Sequence, residues 1–112
     1  MKVKTSELDN STIVIEIEDH DTGPIVEMLD VKENGYAVFG EGVAIPMAII
    51  DRRLFKHDWF TGAHLLAIEA HEVGHIRTRS TDEPTAEREG IRLLEEGGHQ
   101  EAADILIARG IA

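Results

Sequence analysis

"AHEVGHIRTRSTDEPTAEREG" fills positions 70–90. His71 and His75 stand four residues apart in it. Glu72 follows the first directly, and a Glu83-Pro-Thr-Ala-Glu87 run begins eight residues past the second. On a helix, residues at that spacing project from one face one turn apart, as two ligands of one tetrahedral metal ion require. The surrounding sequence supplies the helix. From about 61 to 76, Leu65, Ile68, Glu72 and His75 recur at helical spacing, and only Gly74 near the end weakens the run. "STDEP" then reads as a new helix start, with Thr81 or Asp82 as cap and Pro84 tolerated in the first turn. That second helix runs to the Gly97-Gly98 stop, and a last one spans about 99 to 109 and ends at Gly110.

The half before residue 60 has a different period. In "STIVIEIE", Ile13, Ile15 and Ile17 alternate with Thr12, Val14, Glu16 and Glu18, which predicts a half-buried strand. "IVEMLDVK" fits a short helix better than a strand. Asn34-Gly35 leads into "YAVFG", a strand, and "VAIPMAII" reads as another extended segment with Pro46 at an edge or bend. Strands first and helices after is the α+β order. The length of 112 residues suits a single domain over 1–112 with one modest core. Leu54, Phe55, Trp59 and Phe60 are expected in that core ahead of the histidine helix, and Leu93, Leu94, Ile105 and Leu106 in its helical half.

Composition narrows the function. Net charge is −11, from 22 acidic and 11 basic residues, which opposes a nucleic-acid backbone or an anionic membrane surface as partner. With no cysteine, a transition metal must be held by His and carboxylates. The N-terminus lacks the apolar run of a signal peptide, and no segment is long enough to span a bilayer. The expectation is a soluble cytoplasmic protein.

Two imidazoles do not complete a zinc site, so a third ligand must come from another element. Glu83 and Glu87 compete for that role. An antiparallel helical hairpin would bring both back over the histidines, one to bind the ion and the other to hydrogen-bond the far nitrogen of a ligating His. Glu72 lies about 100° round the helix from His71 and can stand beside an ion without binding it, as a general base. The plain alternative is a pair of hydrogen-bonded helix histidines followed by first-turn acids favoured by the helix dipole. Glu69 and Glu89 read as surface charges, and His64 as structural or cleft-lining.

"HEVGH" resembles the His-Glu-x-x-His motif of zincin metallopeptidases, and "EPTAE" the Glu-x-x-Ala-Asp/Glu segment of their gluzincin branch. The region from about 45 to 95 is similar to small peptidases associated with phages and mobile elements, including the ImmA/IrrE type. The resemblance implies a minimal zincin-like α+β domain, with a small N-terminal sheet packed on C-terminal helices. It implies Zn2+ held by His71, His75 and Glu83, with Glu87 orienting a ligating His and Glu72 as catalytic base. It implies hydrolysis of a peptide or protein substrate. The chain departs from the family in its short interval from His75 to Glu83 and in having Glu87 where Asp is commoner. A peptidase also needs a donor for the oxyanion, for which Tyr36 and His99 are candidates. The competing expectation is a zinc-bound module that captures a peptide or partner without cutting it. A purely structural zinc site is a third, which would have no use for Glu72 as a base.

Overall fold

The computed structural model describes residues 1–109. In chain order the elements are β1 (Lys2–Thr5), β2 (Ile13–Ile17), α1 (Pro24–Lys32), β3 (Gly35–Val38), β4 (Met47–Asp51), a short 3-10 helix (Arg52–Lys56), α2 (Gly62–Thr78), α3 (Glu83–Glu96) and α4 (Gln100–Arg109). The fold is α+β, a four-stranded mixed sheet in the order β1-β2-β4-β3 packed against helices. β1 and β3 run antiparallel to their neighbours, while β2 and β4 are parallel, with Ile15 opposite Ile49. β3 is an edge strand whose outer side is unpaired among the described residues. Gly110, expected to end the last helix, lies outside them.

The sheet is covered on both faces, and this corrects the half-buried expectation for β2. Val14, Ala48 and Ile50 pack with Phe60, Leu65, Ile68 and Ile76 on the α2 side. Ile15, Ile17 and Ile49 pack with Val26 and Leu29 of α1 on the other. Each fully buried aliphatic side chain contributes roughly 1.5–3 kcal/mol over its exposed form. Glu16 is therefore buried too, and is neutralised by Arg52 at 2.9 Å and Lys4 at 3.6 Å.

β1 carries no clear signal in the sequence, being short and mostly exposed. It holds one end of a buried polar cluster. Glu69, expected on the surface, is 1% exposed, accepting a hydrogen bond from Ser6 Oγ at 2.7 Å and pairing with Lys4 at 3.2 Å. "GVAIP" is turn rather than strand, and Pro46 sits just ahead of β4. The aromatic group ahead of α2 divides. Phe60 is buried, Leu54 half-buried, and Phe55 and Trp59 are exposed at 39% and 62%. Trp59 stacks on His57 instead of entering the core.

α2 and α3 form an antiparallel hairpin, and its closeness depends on two glycines. A Cβ on Gly74 would overlap the Ala86 carbonyl, and one on Gly90 would lie 2.7 Å from Ala70 O. Both neighbours are backbone, so relief requires moving a helix. Gly74→Ala is expected to destabilise by at least the 1–3 kcal/mol typical of overpacking. It should also displace α3, which carries Glu83 and Glu87. Denaturant unfolding checks this, and a variant as stable as wild type would refute so close an approach of the two helices.

Candidate metal centre

α2 is capped by Thr61, whose backbone N–H donates to His64 Nδ1 at 3.1 Å while its hydroxyl lies 2.9 Å from the same nitrogen. His64 thus closes the helix start, which is a structural role. Two turns on, His71, Glu72 and His75 offer ligand atoms within 4.8 Å of one another. The short link 79–82 then starts α3, with the Asp82 side chain accepting from Thr85 N at 3.0 Å. That puts Glu83 on the first turn, with its carboxylate over the two rings.

His71 Nε2 lies 2.9 Å from Glu83 Oε2, and His75 Nε2 lies 2.8 Å from Glu83 Oε1. Glu72 belongs to the same cluster, but no hydrogen bond joins it to either ring. Of the two carboxylates, Glu83 is the one that meets both imidazoles.

The far nitrogens have their own partners. His75 Nδ1 lies 2.7 Å from Ser80 O, and His71 Nδ1 lies 2.8 Å from Glu87 Oε1. A carbonyl oxygen only accepts, so His75 Nδ1 carries the hydrogen and donates. The Glu87 carboxylate imposes the same tautomer on His71. Each neutral ring then turns a bare Nε2 lone pair toward a carboxylate oxygen at hydrogen-bond distance. Two facing acceptors repel unless positive charge sits between them, either a proton on each ring or one shared cation. The rings are nearly perpendicular with centroids 4.9 Å apart, and two buried imidazolium ions at that distance would repel each other. One dication held by two Nε2 atoms and a carboxylate meets the requirement with a donor set suited to zinc. The residues therefore fit a metal ion. Glu87 is 1% exposed, and its second oxygen has no hydrogen-bond partner.

Glu72 is buried beside this cluster. Burial first, and the nearby charges of Glu83 and Glu87 after it, push its carboxyl up to about 8, with Arg109 opposing. A dication among the ligands would act in the same direction as Arg109. Gly35 makes room for the carboxylate, because a Cβ there would lie 3.2 Å from Glu72 Oε2 and 3.0 Å from Ile49 O.

The site opens into a groove of about 420 Å³ bordered by β3, Lys32, Phe39, Thr81, His71, Glu72, His75 and Glu83. A second groove, of about 390 Å³ and largely apolar, lies one turn back along α2 between Trp59, Ile68 and Ile105.

The two expected oxyanion donors are not brought to the cluster. Tyr36 borders the groove, but its side chain packs against the cluster of Ile15, Ile17, Val26, Leu29 and Ile49 on the α1 side, and its hydroxyl donates to Ile25 O at 3.1 Å. His99 caps the start of α4, beyond the far end of the 14-residue α3, roughly 20 Å of helix from Glu83. Arg92 pairs with Glu89 and Glu96 on the surface of α3. The sequence pointed neither Lys32 nor Thr81 to the groove, and offered Thr81 only as a helix cap. Their placement in the groove depends on how α1 and the 79–82 link dock, which no local pattern encodes.

The chain matches no protein-family model, no curated protein and no solved structure. The chemistry of the site rests on its own geometry. Among the described residues no helix is long and apolar enough to cross a membrane.

Proposed function

We propose that this protein is a zinc-dependent peptidase of minimal zincin-like build, acting on peptides or proteins in the cytoplasm. The observation that carries the reading is the pair of imidazoles fixed by outer partners so that both Nε2 atoms meet Glu83, with a buried carboxylate, Glu72, alongside. His71, His75 and Glu83 would hold the ion, and Glu87 and Ser80 O would fix the rings. Zinc, when bound, supplies a Lewis acid that polarises a carbonyl and acidifies a coordinated water.

The remaining work belongs to this chain's residues. β3 offers its unpaired edge to an extended peptide by strand addition, laying the backbone along the groove. The α2 and β3 walls exclude water from the buried side of Glu72. Its carboxylate takes the proton of the attacking water and gives it to the departing amine nitrogen. The Gly35 gap lets that carboxylate lie against the strand edge where the peptide bond would sit.

A catalytically silent zinc module that captures a peptide is the second reading. What favours it is that neither Tyr36 nor His99 offers a donor at the cluster. One measurement addresses both. Purified protein should carry about one zinc per chain and release it on acidification, since protonated rings cannot bind metal. It should also cut members of a mixed peptide library read by mass spectrometry. Zinc without cleavage selects the silent module. A protein that takes up no zinc in titration removes both readings.

A further inference from the structure

Peptide hydrolysis places negative charge on the carbonyl oxygen under attack, and a preorganised donor there is among the largest contributions to rate. We propose that Lys32 is that donor, its ammonium meeting the oxygen of the peptide carbonyl and holding the charge that the oxygen gains. The inference rests on the peptidase reading above.

The backbone prepares the position. α1 ends at Lys32, and the next two residues, Glu33 (φ 61) and Asn34 (φ 63), are both left-handed without being glycine. That conformation is uncommon for such residues and costs on the order of 1–3 kcal/mol each, and it clusters at functional sites. Here it reverses the chain so tightly that the last residue of α1 and the first of β3 share the rim of the metal groove. Three backbone bonds hold the turn: Glu33 N to Leu29 O at 2.8 Å, Gly35 N to Glu33 O at 2.6 Å, and Asp51 N to Asn34 O at 2.9 Å. The flexible lysine stem therefore springs from a fixed base.

Elimination among the lining side chains leads to the same residue. Gly35, Ala37 and Phe39 carry no side-chain donor, and the Tyr36 hydroxyl is given to Ile25 O. His71 and His75 hold their N–H on Glu87 and Ser80 O and turn the other nitrogen to Glu83. Glu72 and Glu83 are carboxylates. Lys32 and Thr81 remain, and only Lys32 brings a charge. Of the other cations near the sheet, Lys4 is taken by Glu69, Arg52 by Glu16, and Arg53 by Asp51 and Asp30. Lys32 enters no such ion pair among the described residues.

The step balances without changing the protonation of Lys32. The water oxygen bonds to the carbonyl carbon, the carbonyl π pair moves to oxygen opposite the ammonium, and the water proton goes to Glu72. The pair then returns, the C–N bond breaks, and the nitrogen leaves with the proton from Glu72. Hydroxyl is added to the acyl side and hydrogen to the amine.

The test uses the full zinc-loaded chain and a peptide it cuts. Lys32 is exposed at a helix end, so Lys32→Met should fold and bind zinc as wild type does. Its kcat should fall by about 10²- to 10³-fold, the usual loss for one oxyanion donor, with KM little changed. Lys32→Arg should recover part of the loss, and Thr81→Val should lose less than Lys32→Met. A readout free of turnover is calorimetric binding of a phosphinic peptide, whose tetrahedral anion resembles the charged adduct. Lys32→Met should weaken it, while uncut substrate binds equally to Glu72→Gln with or without Lys32→Met. Wild-type kcat and phosphinate affinity in Lys32→Met, or a larger loss in Thr81→Val, overturns the assignment and leaves the peptidase reading standing. A wild type that holds zinc and cuts nothing overturns both.

Discussion

Glu72→Gln is expected to bind zinc as tightly as wild type and to lose peptide hydrolysis by about 10²- to 10⁴-fold, roughly 3–5 kcal/mol of barrier. Glutamine keeps the shape of the side chain and the close approach to Gly35, but it takes no proton from water. The same substitution has a separate signature without metal. The folded Glu72 carboxyl is pushed from 4.5 up to about 8, first by burial and then by Glu83 and Glu87. A carboxyl raised on folding binds its proton more tightly in the folded state. Its contribution to stability is full below the unfolded value and is lost as pH rises toward 8. Metal-free wild type should therefore lose stability between pH 5 and pH 9 by on the order of 3–5 kcal/mol from this group. Metal-free Glu72→Gln should escape that loss. Thermal melts of both proteins in chelator at the two pH values decide it. Parallel melting curves would show that Glu72 is solvated rather than buried against two carboxylates. Cleavage at wild-type rate in the zinc-loaded variant would end its role as base.

Glu83→Gln and Glu87→Gln should separate by affinity for zinc. Glu83 Oε1 and Oε2 meet the Nε2 atoms of both histidines, so its replacement removes the one anionic ligand of the proposed site. Glu87 hydrogen-bonds His71 at Nδ1, on the far side of the ring from Glu83. Its loss frees the ring to turn and reduces its basicity, an effect of about 10- to 100-fold on metal binding. Glu83→Gln should exceed that range. The variants also differ in stability. Glu83 is 55% exposed on its side chain, whereas Glu87 is buried with one oxygen unpartnered. Glu87→Gln removes a buried charge, so metal-free protein should tolerate it despite its place in the core. Competition titrations against a chromophoric chelator measure the affinities. A larger loss in Glu87→Gln than in Glu83→Gln would reverse the two roles.

The features legible in the sequence are those set by short-range geometry. A spacing of four residues places His71 and His75 on one face of any helix. Asp82 and Pro84 start the next helix within a few residues, and so short a link leaves α3 little choice but to return antiparallel over α2. Gly74, which the sequence shows only as a weak point of the helix, is where that return comes close. The order of strands and helices gave α+β.

What only the tertiary structure decided depends on docking between distant segments. Tyr36 faces α1 rather than the groove because the pairing of β3 with β4 fixes which side each residue takes, and a slip of one residue would reverse it. β2 reads as half-buried until α1 covers its second face. Glu69 is buried because Lys4 and Ser6, more than sixty residues earlier, supply its partners. A charge on a helix does not announce whether such partners will arrive. Phe60 enters the core while Trp59, one residue before it, stacks on His57 outside. Lys32 reaches the groove through two left-handed residues in succession, a turn that "ENG" permits but does not require. Side-chain direction and burial at these positions follow from packing over long separations in the chain, where no local period carries the information.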